Sequence, residues 1–503
     1  MTFLFIIFSA ILVLRLILLK KAQVGAVDQW YWLKYREAVR SQKHCPPELP
    51  EYTLEVKQWY PPVFGWFLSK LSDKFLKYSN LITQILSVFR ISIVFFLFFL
   101  LNDQFSFELF LVSLVYLTAP ILVYYDNQIN SRIFGGIILD ILVVLFFVYF
   151  EYSNYYVLMP IFVLTILLLF THKMSHQLYL FLLIGFSIYY ENVVPIAMYV
   201  LATIFSFIFF DYKKYLKHHI EIVKFWHRNR YKLGAHQFYE SSIYGKDGYV
   251  YKNRMHGNDI KLWIKKLALI IGMFPFMIFI IFNFQFNFFG LVVFLTLLFI
   301  VLTSFIPFMY CLGMGSLYTY NLVTFSCYYL IYHDINYSTP VNIALLILVF
   351  ILTMISIYKF YRGLVNKSKF KDSSLDEAID FLKKASFDRV LVIPFQLPDE
   401  IAYKTEKKVF WGAHGYGFLW LEPYFPVFNR KIEEALRDWN LGGIFLQKSY
   451  WKEFFENVDV SLLKKEFEND EYVIFSIKEW KNIDKIPNWA LEKYPDVFGR
   501  SNV

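Results

Sequence analysis

Apolar residues run in long blocks through the first three-quarters of the chain, and the blocks have the length of membrane spans. A helix that crosses a bilayer needs about 20 mostly apolar residues at about 1.5 Å of rise each. Such blocks fall at 2–19, 82–101, 107–124, 134–150, 156–170, 178–190, 194–210, 262–284, 289–306, 317–332 and 341–358, which predicts about eleven spanning helices. Glu191, Asn192 and Pro195 interrupt the stretch 178–210, marking either two short spans or a break in one long helix. The first block contains Arg15 and lacks a basic leader and a small-residue cleavage site, so a retained first helix is expected rather than a signal peptide.

Three longer stretches break the pattern. Residues 20–80 are polar, rich in Trp and Tyr, and punctuated by Pro46-Pro47 and Pro61-Pro62. Residues 211–266 carry thirteen Lys and Arg against five Asp and Glu, with His218, His219, His227, His236 and His256. The tail beyond about residue 362 alternates helix and strand signals. Ser374 with Glu377 opens a helix to Lys384, 389–394 reads as a buried strand, 429–439 as a helix, and 443–447 and 472–477 as further strands. The glycines between Trp411 and Gly417 lack the spacing of a phosphate-binding loop, and His414 among them reads as a loop histidine. The expected architecture is mainly α. It is a multi-pass transmembrane helix bundle over 1–361, with outer loops 20–80 and 211–266, followed by a soluble C-terminal α/β domain over 362–503.

Composition agrees. Of 503 residues, 57% are hydrophobic and 18% charged, against about 45–50% and about 25% in soluble domains, which excludes one large soluble enzyme and a disordered chain. The net charge of +9 is assigned to loops beside membrane helices, not to nucleic-acid binding. Cys45, Cys311 and Cys327 are too few and too scattered for a disulfide framework or a CxxC zinc site.

In such a chain the ionisable residues near the hydrocarbon are informative, because they are costly there. Arg15 and Arg90 read as snorkelling or as paired within the bundle, and Asp140 as facing a neighbouring helix. Asp126 and Arg132 flank the head of another helix. Just past the first block comes Asp28-Gln29-Trp30-Tyr31-Trp32, with Tyr35 and Ala38 on a helical spacing, and later Trp59-Tyr60-Pro61-Pro62 before an amphipathic segment. An aspartate held among interfacial aromatic rings is suited to take a proton from an acceptor hydroxyl or to hold a metal ion. The same residues also fit an aromatic belt in which Asp28 caps a helix.

The order of these features resembles the GT-C superfamily of membrane glycosyltransferases. The similarity is greatest to the polyprenyl-phosphate-sugar-dependent branches related to protein mannosyltransferases and aminoarabinose transferases. Asp28 through Tyr-Pro-Pro resembles the first outer loop. Asp126 to Arg132, with Gly135 and Gly136, is similar to the second, and Thr171-His172-Lys173 to a later Thr-His motif. The resemblance covers roughly residues 1–210. It implies Asp28 as catalytic base and Asp126 as a second catalytic acidic residue. Arg132, His172 and Lys173 would contact the donor phosphate, and Tyr31 and Tyr60 the substrate. Gln29 departs from the paired acidic residues of many members, so a divalent metal ion and a metal-free mechanism both stay open, and no cofactor is assigned.

The implied activity is transfer of a sugar from a polyprenyl-phosphate donor to a glycan, lipid or protein acceptor at the outer face, in a multi-pass protein of a prokaryotic plasma membrane. Two alternatives remain: a polymerase or ligase of lipid-linked glycans, and a transporter or flippase, against which speak the lack of an evident two-fold repeat and the placing of the Asp28 and Asp126 loops at interfaces. The basic stretch 211–266 sets two rules in conflict. Its charge favours the cytoplasm, whereas the helix count and the family arrangement place it outside, where Lys213, Lys214, Lys217, His218 and His219 would meet phosphates or anionic head groups.

Overall fold

Prolines decide where the apolar blocks stop being single helices. In the computed structural model, which describes residues 13, 27–54, 56–76, 79–101, 107–230, 260–369, 373–394, 397–412, 422, 432–450, 454, 458 and 460–477, the block beginning at Phe107 breaks into Phe107–Thr118 and Pro120–Tyr125 at Pro120. Pro275 likewise separates Ile260–Met273 from Met277–Phe282. A proline lacks the amide that a continuing helix needs, and its ring clashes with the preceding turn. The interruption near residue 191 resolves into two helices, Lys173–Tyr189 and Val194–Phe209, with Glu191 in the left-handed region at φ 48°. The first block, with Arg15, and the loop carrying His414 lie outside the described residues, apart from Val13.

Among the described residues four helices are long and apolar enough to cross a membrane: Leu81–Leu101, Arg132–Tyr152, Phe288–Phe305 and Pro340–Lys359. A fifth is counted if Val194–Phe209 and Tyr212–Asn229, bent by 114° at their junction, form one broken span. The other apolar blocks among the described residues form shorter helices, so length and composition alone do not establish the expected count of about eleven.

The chain divides into two compact units. The first comprises Met1–Gly25, Pro61–His219 and Asn258–Lys369. Its centre is the helix Thr319–Tyr332, in which every residue from Thr319 to Ile331 is buried. A helix without an exposed face belongs in the middle of a bundle.

The second unit comprises Ala26–Tyr60, Ile220–Gly257 and Phe370–Val503, and so takes in parts of both long loops beside the tail expected to stand alone. It is built on a five-stranded sheet in the order β2-β1-β3-β5-β4, with β1 Arg389–Ile393, β2 Lys408–Val409, β3 Gly443–Gln447, β4 Leu463–Glu468 and β5 Tyr472–Ile477. β1 runs parallel to β2 and β3, and β5 antiparallel to β3 and β4. The very short β2 is completed by the first loop. Tyr52 bridges Val409 in parallel, Val409 N donates to Glu51 O at 2.8 Å, and Thr53 N donates to Val409 O at 2.9 Å. An exposed sheet edge leaves backbone donors and acceptors unmatched, and this pairing closes it. Leu54, Phe225 and Ile444, one from each chain segment, share a single apolar core.

That shared core constrains topology. A compact polar unit is not divided by a bilayer, so the described residues that share this core, in 27–60, 220–230 and 373–477, are expected on one side, with an even number of crossings in each stretch between them. Of the four long apolar helices, two lie in the first of these stretches and two in the second. Single cysteines at Glu48, Lys224 and Lys464, placed in a chain lacking the three native ones, are expected to react alike with an impermeant thiol reagent on intact cells. Labelling of one site on intact cells and of another only after lysis would break the argument.

Candidate active site

A fully buried ion pair fixes the membrane unit around its candidate residues. Arg90 on helix Ser79–Leu101 meets Asp140 on helix Arg132–Tyr152 through Nε to Oδ2 at 2.5 Å and Nη2 to Oδ1 at 3.1 Å, both side chains being 0% exposed. Nη2 also donates to Asn321 Oδ1 at 3.2 Å and Nη1 to the Tyr320 carbonyl at 3.4 Å. The guanidinium lies 4.8 Å from the Tyr320 ring centre. Three helices are thereby held by one cation. Gly136 is what lets the helices approach, since a β-carbon there would stand 2.9 Å from Arg90 Cζ.

Tyr320 carries the network on to Asp126. Its hydroxyl donates to Asp126 Oδ1 at 2.7 Å, Ser87 Oγ donates to Oδ2 at 2.6 Å, and the Asp126 carbonyl accepts from Thr83 at 2.6 Å and Gln84 at 2.7 Å. Asp126 is 1% exposed. The carboxylate expected to act in catalysis thus has both oxygens engaged by protein hydroxyls, and it fixes the loop ahead of Arg132. Arg132 follows at the head of its helix, half-buried, with its guanidinium 4.1 Å from the Tyr125 ring centre and 5.9 Å from that of Tyr320. Its Nη1 is buried and has no hydrogen-bond partner among the described residues.

His172 and Lys173 open the helix Lys173–Tyr189. His172 is its N-cap: the Ser175 amide donates to His172 Nδ1 at 3.2 Å, and Ser175 Oγ lies 2.9 Å from the same atom. An N-cap of this kind satisfies one of the donors that a helix start leaves open. Gly135, one turn beyond Arg132, admits it, for a β-carbon there would lie 2.5 Å from His172 Cβ. The Gly135-Gly136 pair therefore has two separate duties, one toward each site. A polar band follows along the same helix. Tyr318 Oη donates to Gln177 Oε1 at 2.7 Å, Gln177 Nε2 lies 3.0 Å from His219 Nε2, and His176 Nε2 lies 2.6 Å from Tyr199 Oη. Lys173 is close enough to His218 and His219 to act on both electrostatically, and Arg132 to act on Tyr318. Arg132, His172 and Lys173 are thus gathered in one region of the membrane unit.

Asp28, Tyr31 and Tyr60 belong to the other unit. Asp28 stands in the first turn of helix Val27–Gln42, partly exposed. Tyr31, one turn on, is 0% exposed, packed against Trp32, Tyr35, Tyr52 and Tyr60 at ring-centre distances of 5.4 to 6.3 Å, and its hydroxyl donates to Gln58 at 3.3 Å. It faces inward because its helix presents that side to the first loop, where it packs as an anchor. Tyr60 is half-buried against Tyr31 and Trp32. Burial raises the Glu37 carboxyl above its ordinary range on the same helix, against the opposing pull of Lys34.

Among the described residues no three His, Cys, Asp or Glu side chains are grouped so that they could hold a metal ion. Tyr320, Tyr318 and Gln177 escaped the sequence reading. A tyrosine among 38 carries no signal of its own, although Gln177 in an apolar helix was a legible irregularity.

No family model matches the chain, and no curated protein matches it in sequence. Solved structures do match in fold. ArnT from Cupriavidus metallidurans bound to undecaprenyl phosphate superposes with a TM-score of 0.53 at 10% identity, over 94% of this chain and 97% of that one. Its apo state gives 0.51 at 9% identity, over 94% and 98%. The archaeal oligosaccharyltransferase AglB from Archaeoglobus fulgidus, in complex with an inhibitory peptide and a dolichol-phosphate, aligns at 0.47 and 9% identity over 95% of this chain and 75% of that one. The chain shares the fold of ArnT over nearly its whole length. At these identities the likeness is one of fold.

The buried pair makes a stability prediction. Arg90→Met alone leaves Asp140 charged and unpaired and is expected to cost about 3–5 kcal/mol, whereas Arg90→Met with Asp140→Leu recovers most of the loss. Gly136→Ala, which overpacks a fixed guanidinium, is expected to cost about 1–3 kcal/mol. Thermal unfolding of the purified variants in detergent measures all three, and a double variant no more stable than Arg90→Met would refute the pairing.

Proposed function

We propose that this protein is an integral-membrane glycosyltransferase that moves a sugar from a polyprenyl-phosphate carrier to an acceptor at the outer face of the cell membrane. The observation that carries this reading is Arg132. A guanidinium held by aromatic rings at a helix head, with a buried nitrogen lacking a hydrogen-bond partner among the described residues, is prepared for an anion. A GT-C fold, shared with a protein solved with undecaprenyl phosphate, supports a lipid-linked phosphate as that anion.

The chemistry follows from these assignments. Asp28 takes the proton from the acceptor nucleophile as its oxygen or nitrogen attacks the anomeric carbon of the sugar. The bond from that carbon to the phosphate oxygen breaks, and its electron pair leaves on the polyprenyl phosphate. Arg132, with Lys173 and the imidazole of His172, stabilises the charge that grows on this leaving group, where a fixed cation acts without reorganising. Asp126 serves as a positioning residue, holding Tyr320 against the guanidinium. Tyr60 is the ring assigned to the substrate side of the Asp28 loop.

The test uses detergent-solubilised protein, the total polyprenyl-phosphate sugars extracted from its own cells, and an envelope fraction as acceptor. Release of free polyprenyl phosphate, followed by mass spectrometry, reports transfer and is blind to transport. The native chain is expected to release it, and Asp28→Asn to lower release at least a hundredfold while still binding undecaprenyl phosphate. Arg132→Gln is expected to weaken that binding about tenfold or more. No release by the native chain would favour a flippase, and full release by Asp28→Asn would remove Asp28 as base.

A further inference from the structure

We propose that the C-terminal part of the chain is the scaffold that holds the Asp28 helix in its working position, with Asp399 and Tyr403 as positioning residues for sugar transfer. This rests on the assignment of Asp28 as base. Both residues come from one short helix of the tail, Pro398–Thr405, and together they hold the Asp28 region at separate points.

Asp399 holds the first loop. It is 0% exposed, and Tyr52, itself 2% exposed, donates its hydroxyl to Asp399 Oδ1 at 2.6 Å. Burial, reinforced by the neighbouring Asp399 carboxylate, raises the Tyr52 phenol well above its ordinary range, so it remains a donor across the accessible pH. The Tyr52 ring in turn packs on Tyr31, one turn from Asp28. Gly412 lies flat against this bond: a β-carbon there would come within 2.2 Å of Tyr52 Cε1 and 2.7 Å of Asp399 Oδ1. The backbone pairing of Glu51 and Thr53 with Val409 fixes the same loop from the sheet side.

Tyr403 holds the helix itself. Its ring lies 5.4 Å from that of Trp30, and its hydroxyl hydrogen-bonds to the Glu37 side chain. Trp30 and Glu37 are seven residues apart and share one helix face, so a single tail side chain holds the helix at two points about two turns apart. Lys404 adds a cation 5.4 Å from the Trp30 ring centre and is itself fixed by Glu400 at 2.7 Å and Asp376 at 3.1 Å. A base misplaced by about 1 Å can cost a hundredfold in rate, so clamps of this kind have catalytic consequences without touching substrate.

The experiment uses full-length variants. Asp399→Ala removes the acceptor, Asp399→Asn keeps an oxygen for the Tyr52 hydroxyl, and Tyr52→Phe and Tyr403→Ala remove the other partners. Amide exchange across 27–60 is expected to quicken at least tenfold in Asp399→Ala, Tyr52→Phe and Tyr403→Ala, with no change over 61–219. In the release assay above these three are expected to lose tenfold or more in turnover at unchanged undecaprenyl phosphate binding, and Asp399→Asn to retain at least half. The inference is overturned if exchange quickens while turnover holds, if exchange does not change, or if Asp399→Asn is as impaired as Asp399→Ala. Loss of the base reading is separately visible, because it shows in Asp28→Asn with every clamp intact.

Discussion

A cation without water must be answered by protein, and Arg90 determines much of what surrounds it. Leaving an ion of its size unpaired in a low-dielectric interior costs several kcal/mol even after relaxation. Asp140, the Tyr320 carbonyl and the Asn321 amide supply what the solvent would have given. Meeting that demand brings three helices to fixed distances and forces glycine at position 136. Tyr320 is held as a consequence, and with it Asp126 and the loop that leads into Arg132. An interaction with no substrate contact thus fixes the geometry of the residue that the proposed reaction depends on most.

Much of this architecture could be read from the chain. Four of the apolar blocks coincide with the long apolar helices, and the strands at 389–393, 443–447 and 472–477 stand where alternation of apolar and turn residues puts them. Asp140 facing a helix partner follows from the cost of a carboxylate in an apolar run, and the partner is Arg90. β2 and β4 were not legible. The first has too few residues to show a pattern, and the second, Leu-Lys-Lys-Glu-Phe-Glu, is an exposed edge whose charges hide its period.

The candidate site was legible in its charged members and opaque in its neutral ones. Asp28, Asp126, Arg132, His172 and Lys173 stand out because charge near hydrocarbon is rare. Burial cannot be read the same way, so the enclosed position of Tyr31 and the double engagement of Asp126 emerge only with the tertiary structure. Nor does any local signal join Tyr52 to Asp399, because their contact is set by the docking of segments far apart in sequence.

The discontinuity of the second unit bears on how the protein is made. Its sheet edge and core need the first loop, yet Tyr52 and Asp399 are separated by 347 residues. At a synthesis rate of about 5–20 residues per second, roughly 20 to 70 s pass between their appearances. For that interval Tyr52 and Leu54 lack the contacts that the tail supplies. The whole membrane unit up to Lys369 is therefore synthesised before this unit can close.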